Sequence, residues 1–439
     1  MPGEHVIGRL DDAPGLSPDC ARTERHRRLL TRDFGLIWSS QILSQIADGV
    51  SKLALLWFVY SVTGSAIKTT IIGLLQTLPA IILGPLIGVT VDRLPKKAVL
   101  IGSDLARAVL IGLIPCILSV ERFTPTMLYV LTLGYGIASA LFVPALSASV
   151  PSLVDRSRFT AANALLQSTT SIGIIAGPAI SGLGIAYAGS QDVLCLNAVT
   201  YVASVLCLLP IRFSDSAGPS AASGSSPGIL TDLLAGLRYA LVSHRAILVL
   251  ILLASLYTFG AGAFTTLFPV YGRRLLNLGP IEVGYLWSWL GVGLLIASLG
   301  LVRLSDRDMA TRLQAVTVSS IMGGAALCGL VWAQNLSAAT LLVLVIGLGL
   351  GVWTPIAWSM VQELCPASVL GRVMAIYTAI ATATAMAGMT FFGWVTEAFD
   401  ESVSVIGIGM ALTVLAGASY WFKSSVVRSG GGLVDGRGS

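Results

Sequence analysis

Charge is what this sequence has least of. Only 11% of its 439 residues are Asp, Glu, Lys or Arg, while 55% are hydrophobic. A soluble globular chain carries about 25% charged residues. The shortage excludes a disordered chain and, with a mean hydropathy of +0.83, argues against an ordinary soluble enzyme. Three histidines are too few for a metal cluster. The six cysteines (Cys20, Cys116, Cys195, Cys207, Cys328, Cys365) form no C-x-x-C, so no zinc site and no disulfide is expected. There is no G-x-x-x-x-G-K-S/T, which removes ATP as an energy source, and no H-E-x-x-H or G-x-S-x-G. With loops too short for a catalytic domain, neither an enzyme nor a cofactor is expected, and nothing points to nucleic acid. Residues 1–31 hold no apolar stretch; Asp11, Asp12 and Asp19 stand where a signal peptide needs hydrophobes, and Arg22 to Arg32 is basic. This reads as a retained cytoplasmic tail.

What fills the rest is apolar. Hydrophobic blocks lie near 34–60, 67–91, 98–119, 126–149, 163–188, 192–210, 247–271, 281–302, 313–333, 338–361, 370–396 and 403–423. Each suffices, at about 1.5 Å per helical residue, to cross a hydrocarbon core of about 30 Å. The expected fold is all-α, with about twelve transmembrane helices. The Ser/Ala/Gly/Pro-rich stretch Ser214–Gly228 divides the blocks equally. Two six-helix halves (32–212 and 247–423) are therefore expected, joined by a linker (213–246) and followed by a tail (424–439). Within the linker, Leu230, Leu233, Leu234, Leu237 and Leu241 are spaced for an amphipathic surface helix; a cytoplasmic extension of span seven fits equally. Lys and Arg concentrate in alternate loops, with Arg273-Arg274 the one real exception. The bias places both termini in the cytoplasm of a cell (inner) membrane protein. The 4–5 connection, Pro151 to Arg158, and the 10–11 connection, Gln362 to Arg372, form a weak repeat of basic hinges, one per half.

The most specific motif is the 2–3 loop, Gly88-Val-Thr-Val-Asp92-Arg93-Leu-Pro-Lys96-Lys97. It resembles the conserved cytoplasmic loop of the major facilitator superfamily, departing at Pro95 where that family has Gly. The resemblance implies that Gly88, Asp92, Arg93, Lys96 and Lys97 latch two halves in one state. Read alone, the same loop serves topology only. Asp104 and Arg107, i and i+3 in span three and read as close to this loop, are assigned to the same latch. Span five carries Gly173-x-x-x-Gly177-Pro178-x-x-Ser181-Gly182, which resembles the signature of the superfamily's exporter branch; only Ser181 replaces a Gly. Its glycines make a flat packing face and Pro178 a bend. Ile46-Ala-Asp48-Gly49, Phe142-Val-Pro144-Ala145, Pro151-Ser-Leu-Val154 and Leu196-Asn197-Ala198 narrow the similarity to the bacterial exporters that include macrolide efflux proteins and the enterobactin exporter.

Chemistry is expected in span one. Gln41, Gln45, Asp48 and Lys52 recur at i, i+4, i+7 and i+11, one helix face, with Asp48 near the midplane. A charge there costs at least ~2.5 kcal/mol, so it must face the bundle interior. Read functionally, Asp48 takes a proton from one side and releases it to the other. Lys52 opposes this, because an ammonium favours the ionised carboxylate. Two other readings stay open: an Asp48–Lys52 ion pair that only holds the helix, and substrate recognition by Lys52. Span four carries no charge, which moves any proton coupling onto Asp48. Tyr257, Phe264, Trp289, Trp353 and Trp358 are candidate linings of an aromatic cavity for an amphipathic molecule. The expected activity is export of such a molecule (drug, macrolide-like compound or siderophore) by a monomeric proton antiporter with alternating access. The alternatives are an uncoupled lipid or lysolipid flippase and a non-transporting membrane sensor.

Overall fold

The computed structural model describes residues 31–118, 125–154, 158–211, 245–301 and 307–428. The expected helix in 213–246, most of the N-terminal tail and residues 429–439 lie outside these. Every described segment of length is helical, and no strand occurs among the described residues.

The polar breaks between apolar runs act as helix caps. Thr31 opens span one (Arg32–Thr63) by accepting from the Phe34 amide at 3.2 Å, and Gly64, at φ 63°, closes it by donating to the Tyr60 carbonyl. Only glycine takes that backbone conformation without cost. Span two is interrupted at Leu83, giving Ala66–Ile82 and Gly84–Arg93, because Pro85 has no amide to offer. Span three is Lys96–Leu118 and span four Pro125–Ser149. A single helix, Phe159–Leu208, would be too long for one crossing, but Gly189 breaks it at φ 86°. The chain reverses there: Gly184 lies against the Val193 side chain, and Ser181 and Asn197 both bond the Ala47–Ser51 turn of span one. In a straight helix these two residues would stand about 24 Å apart. The two arms are spans five (159–188) and six (190–208). Spans seven and eight are Arg245–Arg274 and Pro280–Leu301. Met309–Leu330 is span nine; Leu336–Gly351 with Trp353–Leu364 makes span ten; Ala367–Ala398 and Glu401–Arg428 are spans eleven and twelve. The last helix runs five residues beyond the expected end at 423.

Among the described residues ten helical segments are long and apolar enough to cross a membrane. The reversal at Gly189 and the broken second span bring the crossings to twelve. The packing repeats between halves. Span one packs on span five as seven packs on eleven, three on six as nine on twelve, three on four as nine on ten, and two on four as eight on ten. The halves meet most extensively through two repeat-related pairs, span two with eleven and span five with eight, with span seven also touching spans one and two.

Those meetings lie toward one end. Gly182 and Gly284 pack so closely that an added Cβ on either would strike the other helix's backbone. Ser288 donates to the Ile175 carbonyl at 2.6 Å. The Arg274 guanidinium donates to the Tyr60 hydroxyl (2.9 Å) and the Gly64 carbonyl (2.5 Å). Glu397 accepts from the Ala66 amide at 2.8 Å and caps the opening turn of span two. At the opposite end the ion pair and the lysine contacts seen among the described residues stay within a half. Arg312 grips Glu363 through two bonds of 2.6 Å, and Lys97 donates to the Leu209 (2.6 Å) and Ile211 (2.8 Å) carbonyls. Among the described residues no salt bridge crosses between halves at that end.

Candidate functional site

Span one brings Asp48 into the middle of the N-terminal half, and its partner is not Lys52. Arg107 Nη1 donates to Asp48 Oδ1 at 2.9 Å. Two tyrosines join it: Tyr135 of span four at 2.9 Å and Tyr201 of span six at 2.7 Å, with 2.8 Å between their hydroxyls. All three donors converge on Oδ1. Among the described residues Oδ2 accepts no hydrogen bond.

Behind Asp48 lies a second carboxylate. Asp104 contacts Arg107 Nη2 and accepts from Ser204 at 2.6 Å and Ser44 at 3.2 Å. Arg107 Nη2 also donates to Ser44 at 2.9 Å. The guanidinium lies over the rings of Phe142 and Tyr201, at 4.5 and 4.8 Å from their centroids. Four spans thus supply one polar cluster inside apolar packing. Arg107 is 1% exposed and Asp104 fully buried, but the Asp48 side chain is 33% exposed. Asp48 is the only charged member of the cluster that reaches open space.

Two expectations need correction. Asp104 and Arg107 are not gathered at the 2–3 loop. Arg107 is the twelfth residue of Lys96–Leu118, about 17 Å from the helix start at 1.5 Å per residue. That puts it at the level of Asp48. The i, i+4 ion pair of Asp48 with Lys52 does not form either. The Lys52 ammonium stands 5.6 Å from the Trp287 ring centroid, on span eight of the other half. The shared face of span one is only partly realised. Gln41 is buried and its Oε1 has no partner among the described residues, and Gln45 is half-buried with its backbone against Gly173.

Gly173 and Gly177 do form a flat face. A Cβ on Gly49 would come within 2.5 Å of the Gly173 carbonyl, so span one rests backbone to backbone on span five. Pro178 and Gly182, on the opposite side of span five, pack against Gly284 and Pro280 of span eight. In the 2–3 loop, Gly88 and Asp92 fall on the short helix Gly84–Arg93, Arg93 is exposed, and Lys97 holds the end of span six. Lys96 is half-buried.

The aromatic candidates are scattered. Phe264 is fully buried against Phe268 and Tyr271, at 5.3 and 6.3 Å between centroids, so it lines no cavity. Trp353 is buried against Tyr257 at 6.0 Å, and the Tyr257 hydroxyl bonds the Leu350 carbonyl. Trp289 is half-buried beside Tyr285, and Trp358 is exposed. A cavity of about 460 Å³ at the closed end is lined by Trp57, Tyr60, Ser61, Gly64, Arg273 and Pro280, none of them among those candidates. Sequence reasoning missed Tyr135, Tyr201 and Ser204. A signal was present: Asn197, Tyr201 and Ser204 recur at i, i+4 and i+7 on an otherwise apolar span.

Comparison with known proteins agrees with this architecture. Residues 28–429 match the family described as transmembrane secretion effector. The chain is similar to macrolide efflux protein A of Streptococcus pyogenes, 24% identical over 345 residues that cover 78% of this chain and 84% of the relative. It is also similar to the multidrug efflux pump Tap of Mycolicibacterium fortuitum, 25% identical over 388 residues, covering 87% and 93%. Among solved structures, a bacterial homolog of the human lysosomal transporter Spinster, inward-facing and unoccupied, superposes with a TM-score of 0.67 at 11% identity, over 90% of this chain and 97% of that one. The peptide transporter POT in complex with alafosfalin gives 0.69 at 15% identity, over 94% and 98%. At such identities the structural likeness speaks for the fold.

Proposed function

This chain belongs to the transmembrane secretion effector family of the major facilitator superfamily, and we propose that it exports a small amphipathic organic molecule in exchange for protons. Export is supported by relatives that are macrolide and multidrug efflux pumps. The observation that carries the proton reading is the Asp48–Arg107–Asp104 cluster. Two carboxylates around one guanidinium leave one negative charge too many for a membrane interior, and one proton removes it. Asp48, with a free Oδ2 and the only exposed charge of the cluster, is where that proton arrives. Its loss frees Asp48 to hold Arg107, which joins spans one and three, so protonation alters a contact between helices.

The loop biases support both termini in the cytoplasm of the inner membrane. In that orientation the closed end is external, and the end without polar contacts between the halves among the described residues faces inward. Arg93, Lys96, Lys97 and the neighbouring Asp92 then lie at the mouth that closes in the opposite state, where a latch role fits them. The chain acts as a monomer and moves its substrate without changing it.

The test is accumulation of dyes and antibiotics in efflux-deficient bacteria expressing the chain, with and without a protonophore. Wild type is expected to lower accumulation, the protonophore to abolish the effect, and Asp48→Asn to be inactive at matched membrane levels. Full efflux by Asp48→Asn removes the proton role from this residue. Efflux that survives the protonophore removes proton coupling altogether.

A further inference from the structure

Arg273 and Arg274 are the one real exception to the charge bias of the loops, and contacts within the chain account only for the second. Arg274 ties the halves together at the Tyr60 hydroxyl and the Gly64 carbonyl. Arg273 is exposed and, among the described residues, makes no ion pair and no hydrogen bond. An external arginine works against the bias that orients a membrane protein, so one that holds nothing within the chain calls for a partner outside it. The acidic groups of this end are engaged elsewhere. Glu397 accepts from the Ala66 amide, Glu401 stands in the field of Arg274, and the Glu282 carboxylate lies against Gly279.

Arg273 is the one charged wall of the cavity of about 460 Å³ at the closed end. Small-molecule sites span about 300–1,000 Å³. Trp57, Tyr60, Ser61 and Gly64 come from the last turns and cap of span one, Arg273 from the last turn of span seven, and Pro280 from the start of span eight. Arg274 fixes two of these walls by holding Tyr60 and Gly64. A Cβ at Gly64 would meet nothing within 4 Å, so the cavity is open on that side. Trp57 and Tyr60, each 8% exposed, give it a largely apolar base, and Ser61 is exposed at its rim. A guanidinium pairs with two oxygens of an oxyanion in one planar fork. One guanidinium with no carboxylate among the walls suits a single negative charge, and the apolar base suits a small flat body. The walls belong to both halves and must separate when this end opens. A molecule seated among them is therefore held only in the closed state, and it favours that state.

Resting on the orientation and export proposed above, we propose that this cavity is an external site for a small organic anion bound by Arg273, and that its occupancy keeps the closed end shut and slows export.

Matched probes test this: benzenesulfonate, which stays charged and does not cross a membrane, and uncharged benzenesulfonamide. Saturation-transfer NMR measures binding of each to the full chain in phosphatidylcholine nanodiscs, with empty nanodiscs as blank. Wild type is expected to bind the sulfonate at least tenfold more tightly than the sulfonamide. Arg273→Gln should remove that preference and keep the wild-type melting temperature, while Arg273→Lys should keep part of it. Arg307→Gln, which removes an exposed arginine at the other end, should keep all of it. No saturable binding of the sulfonate, equal binding of both probes, a preference that survives Arg273→Gln, or one that Arg307→Gln also removes overturns the site. Adding phosphatidylglycerol to the nanodiscs should leave the sulfonate affinity unchanged; its loss there gives the cavity to a lipid headgroup and overturns a water-borne ligand. In cells that export a dye, external benzenesulfonate should slow efflux by wild type and not by Arg273→Gln. Wild-type efflux that it does not slow overturns the closing role. A chain that binds the sulfonate through Arg273 but moves no compound keeps the site and refutes export.

Discussion

Arg107 is the residue on which the buried cluster depends. It answers two carboxylates, Asp48 and Asp104, from a position 1% exposed. Removing one partner of a buried ion pair costs about 3–5 kcal/mol, because the other charge is stranded. Arg107→Met is therefore expected to lower thermal stability in detergent strongly, and Arg107→Lys by less, since it keeps the charge but loses the planar fork. Adding Asp104→Asn to Arg107→Met should restore part of the loss. An Arg107→Met protein as stable as wild type would show that the cluster is not held by this pairing. Asp48 was legible in the sequence because a single carboxylate in the middle of an apolar run admits few readings. Its partners were not. Arg107 follows a helix start rich in lysine, and spacing along one helix says nothing of which neighbouring helix it meets. Tyr135 and Tyr201 are ordinary residues of a membrane span until Asp48 is placed beside them.

At the scale of the element, the glycine face of span five was legible as a face but not as two interfaces. The motif predicts close approach without naming what approaches. In the folded chain Gly173 and Gly177 receive span one, and Gly182 receives span eight from the other half. A Cβ at Gly173 would lie 2.5 Å from the Gln45 carbonyl, a backbone atom that cannot move without the helix. Gly173→Val is thus expected to displace span one at the turn preceding Asp48, lowering both thermal stability and efflux. Gly102→Ala and Gly417→Ala, with nothing within 4 Å, should leave both unchanged. Melting curves and accumulation assays on the three variants check this. A Gly173→Val protein with wild-type melting and efflux would mean that the two helices need not touch. The twelve apolar blocks were read with boundaries close to those observed, since span length is dictated by membrane thickness. The breaks at Leu83 and Val352 were not foreseen, because a proline inside a long apolar run marks a bend only once its neighbours are known.

Across the whole molecule, the closed end is held by few polar contacts between halves. Arg274 reaches Tyr60 and Gly64, and Glu397 reaches the Ala66 amide. Hydrogen bonds to charged groups contribute about 1.5–3 kcal/mol each. Losing both sets should move the equilibrium between closed and open by tenfold or more, provided that the open state does not replace them. The glycine packing of spans five and eight remains in such a variant, so the halves should stay folded and rock rather than separate. Spin labels at Val62 and Ile281, both exposed at the closed end, and at Arg93 and Arg307, both exposed at the other, report the two mouths independently. In the Arg274→Ala/Glu397→Ala variant the first distance is expected to gain a longer population and the second a shorter one, because two rigid halves that part at one end approach at the other. A first distance that lengthens while the second stays fixed would mean local fraying at the closed end. If neither distance changes, Gly182, Gly284 and the Ser288–Ile175 bond are what hold that end shut, and alternating access must begin by prising spans five and eight apart.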